Sequence, residues 1–241
     1  MKLVIALCLM TSLTALGQTK MNNLEDLSSS GGVQGCHFSQ WCWEHDLGTR
    51  GESVGTSRVV GSLRRFDVVW KNFGGERFHL YLGPSHYDSR STAFTIDTWI
   101  YFNNLTDVDN IEIDLNQVTA NGDTVIFGMQ CYFPGNVWQY TTNWGGNTHW
   151  NDSNVACSRN VWTGGVWHHL ILKFHRDSAG NVTYDSINFD TRLSELVGAS
   201  GPSSFGLGWE VGRKVVNFQI DGNGKFSGTT AYLDAFTVTG Q

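Results

Sequence analysis

Proline is scarce, three residues in 241, and after residue 35 no stretch reads as a linker. Both points argue against a string of small domains and favour one large one. Charge is thin as well: Asp, Glu, Lys and Arg make up 16% of the chain, with a net charge of -6 and no Lys/Arg cluster. A nucleic-acid partner needs a basic patch to replace the counterions on phosphates, so that class is excluded. Beyond the first residues no apolar run approaches the roughly 20 that cross a bilayer, so no membrane span is expected in the mature chain. No cysteine pair has C-x-x-C spacing, which disfavours a thiolate metal site. Helical patterns do not alternate with strand patterns, which disfavours βαβ units.

What is present begins with an exported N-terminus. Lys2 is the only early charge, an apolar run follows from Leu3 to Leu16, and Ala15 and Gly17 supply the small-x-small pattern of a signal-peptidase site. Residues 1–17 are therefore expected to be a signal peptide, cleaved before Gln18, and the mature protein to be secreted, extracellular or periplasmic. Residues 18–35 lack periodicity and end in a Ser/Gly run, the composition of a flexible leader. The rest, 36–241, reads as one domain. Its four cysteines, Cys36, Cys42, Cys131 and Cys157, are an even number in an exported chain, which points to two disulfides. Nearness in sequence favours Cys36–Cys42 and Cys131–Cys157 among three possible pairings, which sequence alone leaves open.

Strand-like runs bounded by Gly, Asn, Asp or Ser fill this region, among them Arg64–Trp70, Ala93–Phe102, Asn110–Gln117, Thr124–Tyr132, Trp167–Arg176, Val182–Phe189 and Ala231–Val238. Only Thr191–Val197 hints at helix. The expected class is all-β, a sandwich or barrel. Ten tryptophans on a Gly-rich, weakly charged chain suit a protein that stacks flat apolar ligand faces.

The most informative segment is Asn110-Ile111-Glu112-Ile113-Asp114-Leu115-Asn116-Gln117. Alternation sends Ile111, Ile113 and Leu115 to one face and Glu112, Asp114 and Asn116 to the other. Two carboxylates two residues apart on one strand repel each other, and such a row needs solvent, a metal or a chemical use. A polar outer face is the plain explanation.

Glu112-Ile113-Asp114 resembles the catalytic strand of family 16 glycoside hydrolases, whose motif is E-x-D-x-E or, with a bulge, E-x-D-x-x-E. The resemblance implies a concanavalin A-like jelly-roll sandwich of two antiparallel sheets with a concave carbohydrate cleft crossed by this strand. It also implies Glu112 as nucleophile and Asp114 as its assistant. Trp167-His168-His169-Leu170 with its hairpin, and the closing run Ala231–Val238, resemble strands of concanavalin A-like domains, and region 40–238 is similar to exported bacterial domains of that kind. The acid/base position falls on Asn116 without a bulge and on Gln117 with one, and an amide cannot protonate a leaving oxygen. A retaining hydrolase needs a second carboxyl about 5–5.5 Å from the first, so the departure favours a cleft that binds sugar without cleaving it. A relocated acid such as Glu44, Asp46 or Glu210 would restore hydrolysis.

The expected binding surface comprises Asn116, Gln130 and Tyr132, with a rim of Trp138, Trp144 and Trp150 taken from the aromatic stretch Cys131–Trp150. The expected partner is a polysaccharide or oligosaccharide. Arg77, His79 and Tyr81 share a strand face and, with Gln117, also suit an alginate-lyase-like enzyme, which neutralises a uronate carboxylate and abstracts a proton. A structural sandwich with all its tryptophans in the core is the remaining alternative. No cofactor is expected. Asp221-Gly222-Asn223-Gly224 offers Asp221 and Asn223 as oxygen ligands for a structural Ca²⁺, and is equally a good turn.

Overall fold

A computed structural model describes residues 18–32 and 36–241 of the chain. The expected signal peptide, 1–17, lies outside the described residues. In chain order the strands are β1 (Thr19–Met21), β2 (Ser29–Gly32), β3 (Trp41–His45), β4 (Glu52–Val60), β5 (Leu63–Lys71), β6 (Gly75–Tyr81), β7 (Ala93–Phe102), β8 (Val108–Val118) and β9 (Thr124–Tyr132). They continue with β10 (Val137–Trp144), β11 (Asn147–Ala156), β12 (Trp167–Arg176), β13 (Asn181–Phe189), β14 (Arg192–Glu195), β15 (Ser200–Pro202), β16 (Ser204–Phe205), β17 (Lys214–Gly222) and β18 (Ser227–Gly240). No helix of the described residues is long and apolar enough to cross a membrane.

The strands form two sheets, a jelly-roll β-sandwich. One runs β14-β13-β12-β7-β18-β5-β4, with β1 added to β18 and β15 to β13. The other runs β11-β10-β9-β8-β17-β6-β3-β2, with β16 added to β9. Alternation builds the layer between them. From the second sheet, Ile111, Ile113, Leu115, Phe78 and Phe218 point inward, and from the first, Phe66, Ile96, Leu172 and Leu233 meet them, all at 3% exposure or less. Phe66 lies 4.6 Å from Phe78 and 5.0 Å from Phe218, ring centre to ring centre. Each such aromatic contributes on the order of 2–3 kcal/mol through burial.

Cys36–Cys42 and Cys131–Cys157 are bonded, each pair with Cα atoms 5.6 Å apart, cross-links that suit an oxidising compartment. The second joins β9 to the segment after β11 and packs in the core beside Trp138 and Trp162.

Two expectations are corrected. The described part of the supposed leader is ordered into the fold: β1 pairs with β18, and β2 runs parallel to β3. Met21 and Leu24 are buried, Trp41 Nε1 donates to the Leu24 carbonyl, and Glu25 accepts from the Phe236 amide. Thr191–Val197 contains a strand, not a helix. Asp190 and Thr191 take positive φ angles of 47° and 73° and reverse the chain, so that Arg192–Glu195 pairs back on β13.

Candidate functional site

The outward face of the second sheet carries polar side chains in rows that cross the strands. The central row is set by register: Glu44 on β3 faces Arg77 on β6, then come Gln219 on β17, Glu112 on β8, Gln130 on β9, Gln139 on β10 and Asp152 on β11. The next row holds His79, Asn217, Asp114 and Gly128. Because a strand's side-chain period is two, every member of each row points to the same face.

These rows floor a pit of about 270 Å³. Glu112, Asp114 and Asn116 lie at its base, Glu44, Arg77 and His79 form one side, and Leu207 and the half-buried Trp209, on the loop after β16, form a wall. Glu112, Asp114 and Asn116 are 8%, 6% and 3% exposed, so the floor is largely stripped of water.

Burial pushes the Glu112 carboxyl well above the usual carboxylate range, and the neighbouring Asp114 charge pushes it the same way. Asp114 is also raised by burial, against hydrogen bonds from Glu112 and Asn217 and the charges of Arg77 and His79. Glu44 behaves oppositely. Its Oε1 lies 2.8 Å from His79 Nε2 and accepts from Arg77 at 2.9 Å. The His79 hydrogen bond outweighs burial and, with Arg77, lowers Glu44 to about 2. His79 Nδ1 lies 2.8 Å from Asn217 Oδ1, and Asn217 Nδ2 donates to Asp114 at 3.4 Å. A chain of contacts therefore runs Glu44–His79–Asn217–Asp114.

The floor is incompletely satisfied. Asn116 Nδ2 and Arg77 Nε are buried donors without an acceptor, and Asp114 Oδ1 and, beside Glu112, Gln130 Oε1 are buried acceptors without a donor. Buried polar atoms in native proteins rarely lack partners, and a ligand is one way to supply them.

The sequence-expected residues fall into three groups. Glu112, Asp114 and Asn116 come together on the floor, and Gln130 stands next to Glu112 on the same face, outside the pit's lining. Tyr132 shares their face one row away, opposite Asn110, and Trp150, opposite Thr141 on edge strand β11, lies on the same side. Gln117 does not belong. The β8–β9 pairing runs without a bulge, so Gln117 points into the sandwich, where it donates to the Asp88 and Ser91 carbonyls and accepts from Arg176. The third residue of this outward row on β8 is therefore Asn116.

Trp138 is no rim residue. It lies opposite Cys131, on the inner face, 4% exposed and against Trp162. Trp144 is 73% exposed at the β10–β11 hairpin tip, three positions from Thr141 and hence on the opposite face. Asp221 turns into the cleft face beside Gln219, whereas Asn223 donates to Asp107 in the neighbouring turn. Among the described residues no three His, Cys, Asp or Glu side chains are placed to hold a metal ion. Arg77, His79 and Tyr81 do line the pit, but Arg77 is occupied by Glu44 and, at 3.7 Å, Asp46. That leaves it ill-suited to neutralise a uronate.

Sequence reasoning missed Trp209, Asn217 and Gln219. The last two were signalled by the alternation Val215, Asn217, Gln219, Asp221 on β17, whose polar positions match those of β8. Trp209 stands on an irregular loop and left no periodic signal.

No protein-family model matches the chain, and no curated protein matches it. Among solved structures, the binding domain of Botulinum Neurotoxin DC in complex with SialylT is similar at 12% identity over 79% of this chain and 42% of that one, with a TM-score of 0.42. A structure of carbohydrate-binding modules from the β-sandwich superfamily is similar at 11% identity over 81% of this chain and 55% of that one, TM-score 0.36. The chain thus spans about half the length of these two. The CBM2 module of the Lactobacillus casei BL23 phage J-1 evolved Dit is similar at 10% identity over 94% and 91%, TM-score 0.43.

Proposed function

We propose that the chain is a carbohydrate-binding protein and that the pit over Glu112, Asp114 and Asn116 is its sugar site. The observation that carries this reading is the floor itself: buried, rich in amides and carboxyls, with Asn116 Nδ2 and Asp114 Oδ1 unpartnered beneath the Trp209 wall. A sugar offers hydroxyls to such a floor and an apolar C–H face to a tryptophan. Asn116, where hydrolases of the resembling family carry their acid/base, supports binding over cleavage, because an amide has no proton to give. Immobilised-polysaccharide retention followed by titration tests it. Trp209→Ala and Asn116→Ala should each weaken binding about tenfold or more while circular dichroism stays unchanged. Failure of the native protein to bind any glycan, or full affinity in Trp209→Ala, removes the proposal.

One observation favours a second reading, hydrolysis: burial and the Asp114 charge raise the Glu112 carboxyl, while the His79 hydrogen bond and Arg77 hold Glu44, across the pit, low. Release of reducing ends from a bound glycan, abolished by Glu112→Gln, would establish it.

A further inference from the structure

Three carboxyls on neighbouring strands β8 and β17, Glu112, Asp114 and Asp221, are buried at 8%, 6% and 8% exposure. Among the described residues none of them has a cation within ion-pair distance. The basic side chains at the pit, Arg77 and His79, are already committed. Arg77 lies 2.9 Å from Glu44 and 3.7 Å from Asp46, and His79 Nε2 lies 2.8 Å from Glu44. Counting Glu44 and Asp46, five acidic side chains face one guanidinium and one imidazole.

Next to Glu112 the hydrogen bonding is unbalanced in the same direction. Buried oxygens without a donor cluster around Glu112: Asp114 Oδ1, Asn110 Oδ1 and Gln130 Oε1. The Gln130 orientation is fixed by its neighbours. Asp152 can only accept, so Gln139 turns its Nε2 to it, at 2.7 Å, and presents Oε1 to Gln130 Nε2, at 2.6 Å. Gln130 Oε1 is left without a donor in the row where Glu112 stands opposite. Unpartnered acceptors around Glu112 and carboxyls without a cation call for a positively charged donor at that point, while the unpartnered donors Asn116 Nδ2 and Arg77 Nε call for oxygens beside it, as a sugar's hydroxyls supply.

We infer that the site takes a sugar bearing a free ammonium group, an unacetylated amino sugar of the glucosamine type, with the ammonium over Glu112 and Asp114. The inference rests on the sugar-site reading and adds its charge. The three protons of an ammonium meet the orphaned acceptors, and its charge replaces the cation that the protein does not supply. A neutral sugar donates hydroxyls but leaves the buried charge unbalanced. N-acetylation removes the charge and adds bulk. Uronates and sulfated sugars meet like charge and are rejected.

Calorimetric titration of the full protein near pH ~6 with four oligosaccharides of equal length tests this: glucosamine, N-acetylglucosamine, glucose and uronate chains. The glucosamine chain should bind about tenfold or more tighter than the glucose chain, and the uronate chain weakest. In Asp114→Asn the preference for glucosamine over glucose should fall to about one, and added salt should lower it in the native protein. Glu112→Gln should behave alike, a second variant should one of them fail to fold. Equal binding of glucose and glucosamine chains, or tighter uronate binding, overturns the inference and leaves the sugar site standing. Binding by none of the four, with no other glycan bound, removes both.

Discussion

Asp221 is buried near the end of β17, where Gln219 Nε2 donates to both of its oxygens at 3.1 Å. Burial pushes its carboxyl up to about 6, against help from Asn110 and Gln219. An unfolded aspartate releases its proton near pH ~4. Between about pH 4 and 6 the folded state therefore holds more protons than the unfolded one, and stability falls as pH rises through that window. Asp221→Asn should raise stability at neutral pH by about 1–3 kcal/mol and flatten the pH dependence, read from urea midpoints across the window. Unchanged or lowered stability of this variant at neutral pH would count against an uncompensated carboxyl there. Glu44 acts in the other direction and elsewhere: its depressed value gives stability present above the ordinary glutamate range and lost as pH falls towards about 2. At this scale Glu112, Asp114 and Asn116 were legible because alternation alone groups them. Trp138 was not, because alternation pairs it with Tyr140 without saying which face is inside. Its register partner Cys131 decides that, and register is a long-range fact.

Strand β9 passes Asp114 at its only residue without a side chain. A Cβ on Gly128 would stand 2.5 Å from Asp114 Oδ1 and 2.6 Å from Thr141 Cγ2. Gly128→Ala should displace Asp114 from the floor, destabilise the protein by about 1–3 kcal/mol and weaken glycan binding together. Denaturant unfolding and titration on the same preparation check both effects, and an alanine variant that binds and unfolds like the native protein would show that the floor has room to spare. The strands themselves were plain in the sequence, since punctuated β-rich runs need only local information. The misread element, Thr191–Val197, shows where that information stops. Leu193 and Glu195 are good helix formers, yet the turn at Asp190 and Thr191 delivers the segment to the edge of β13, and four ladder pairs outweigh its local preference.

Across the whole molecule, the segment from Thr19 to Gly32 covers one end of the core. Arg64, fully buried, donates to the Glu25 carbonyl and to Ser29, and Trp41 donates to Leu24. Removing residues 18–32 strips partners from a buried guanidinium and an indole and bares Met21 and Leu24's packing sites. The shortened chain should lose at least about 3 kcal/mol, or fail to fold, as read by thermal unfolding. An equal melting temperature would mean the segment is an appendage. Composition marked this stretch as a leader because its partners lie elsewhere in the chain, those of β1 more than two hundred positions away, beyond any periodic signal. That pairing has a consequence in time. Thr19 lies against Gly240 and Glu25 against Phe236, so the earliest described strand waits for the last one to be synthesised. Loop closure on that scale makes folding slow and late, and a nascent chain cannot close its sandwich until synthesis has reached its final strand.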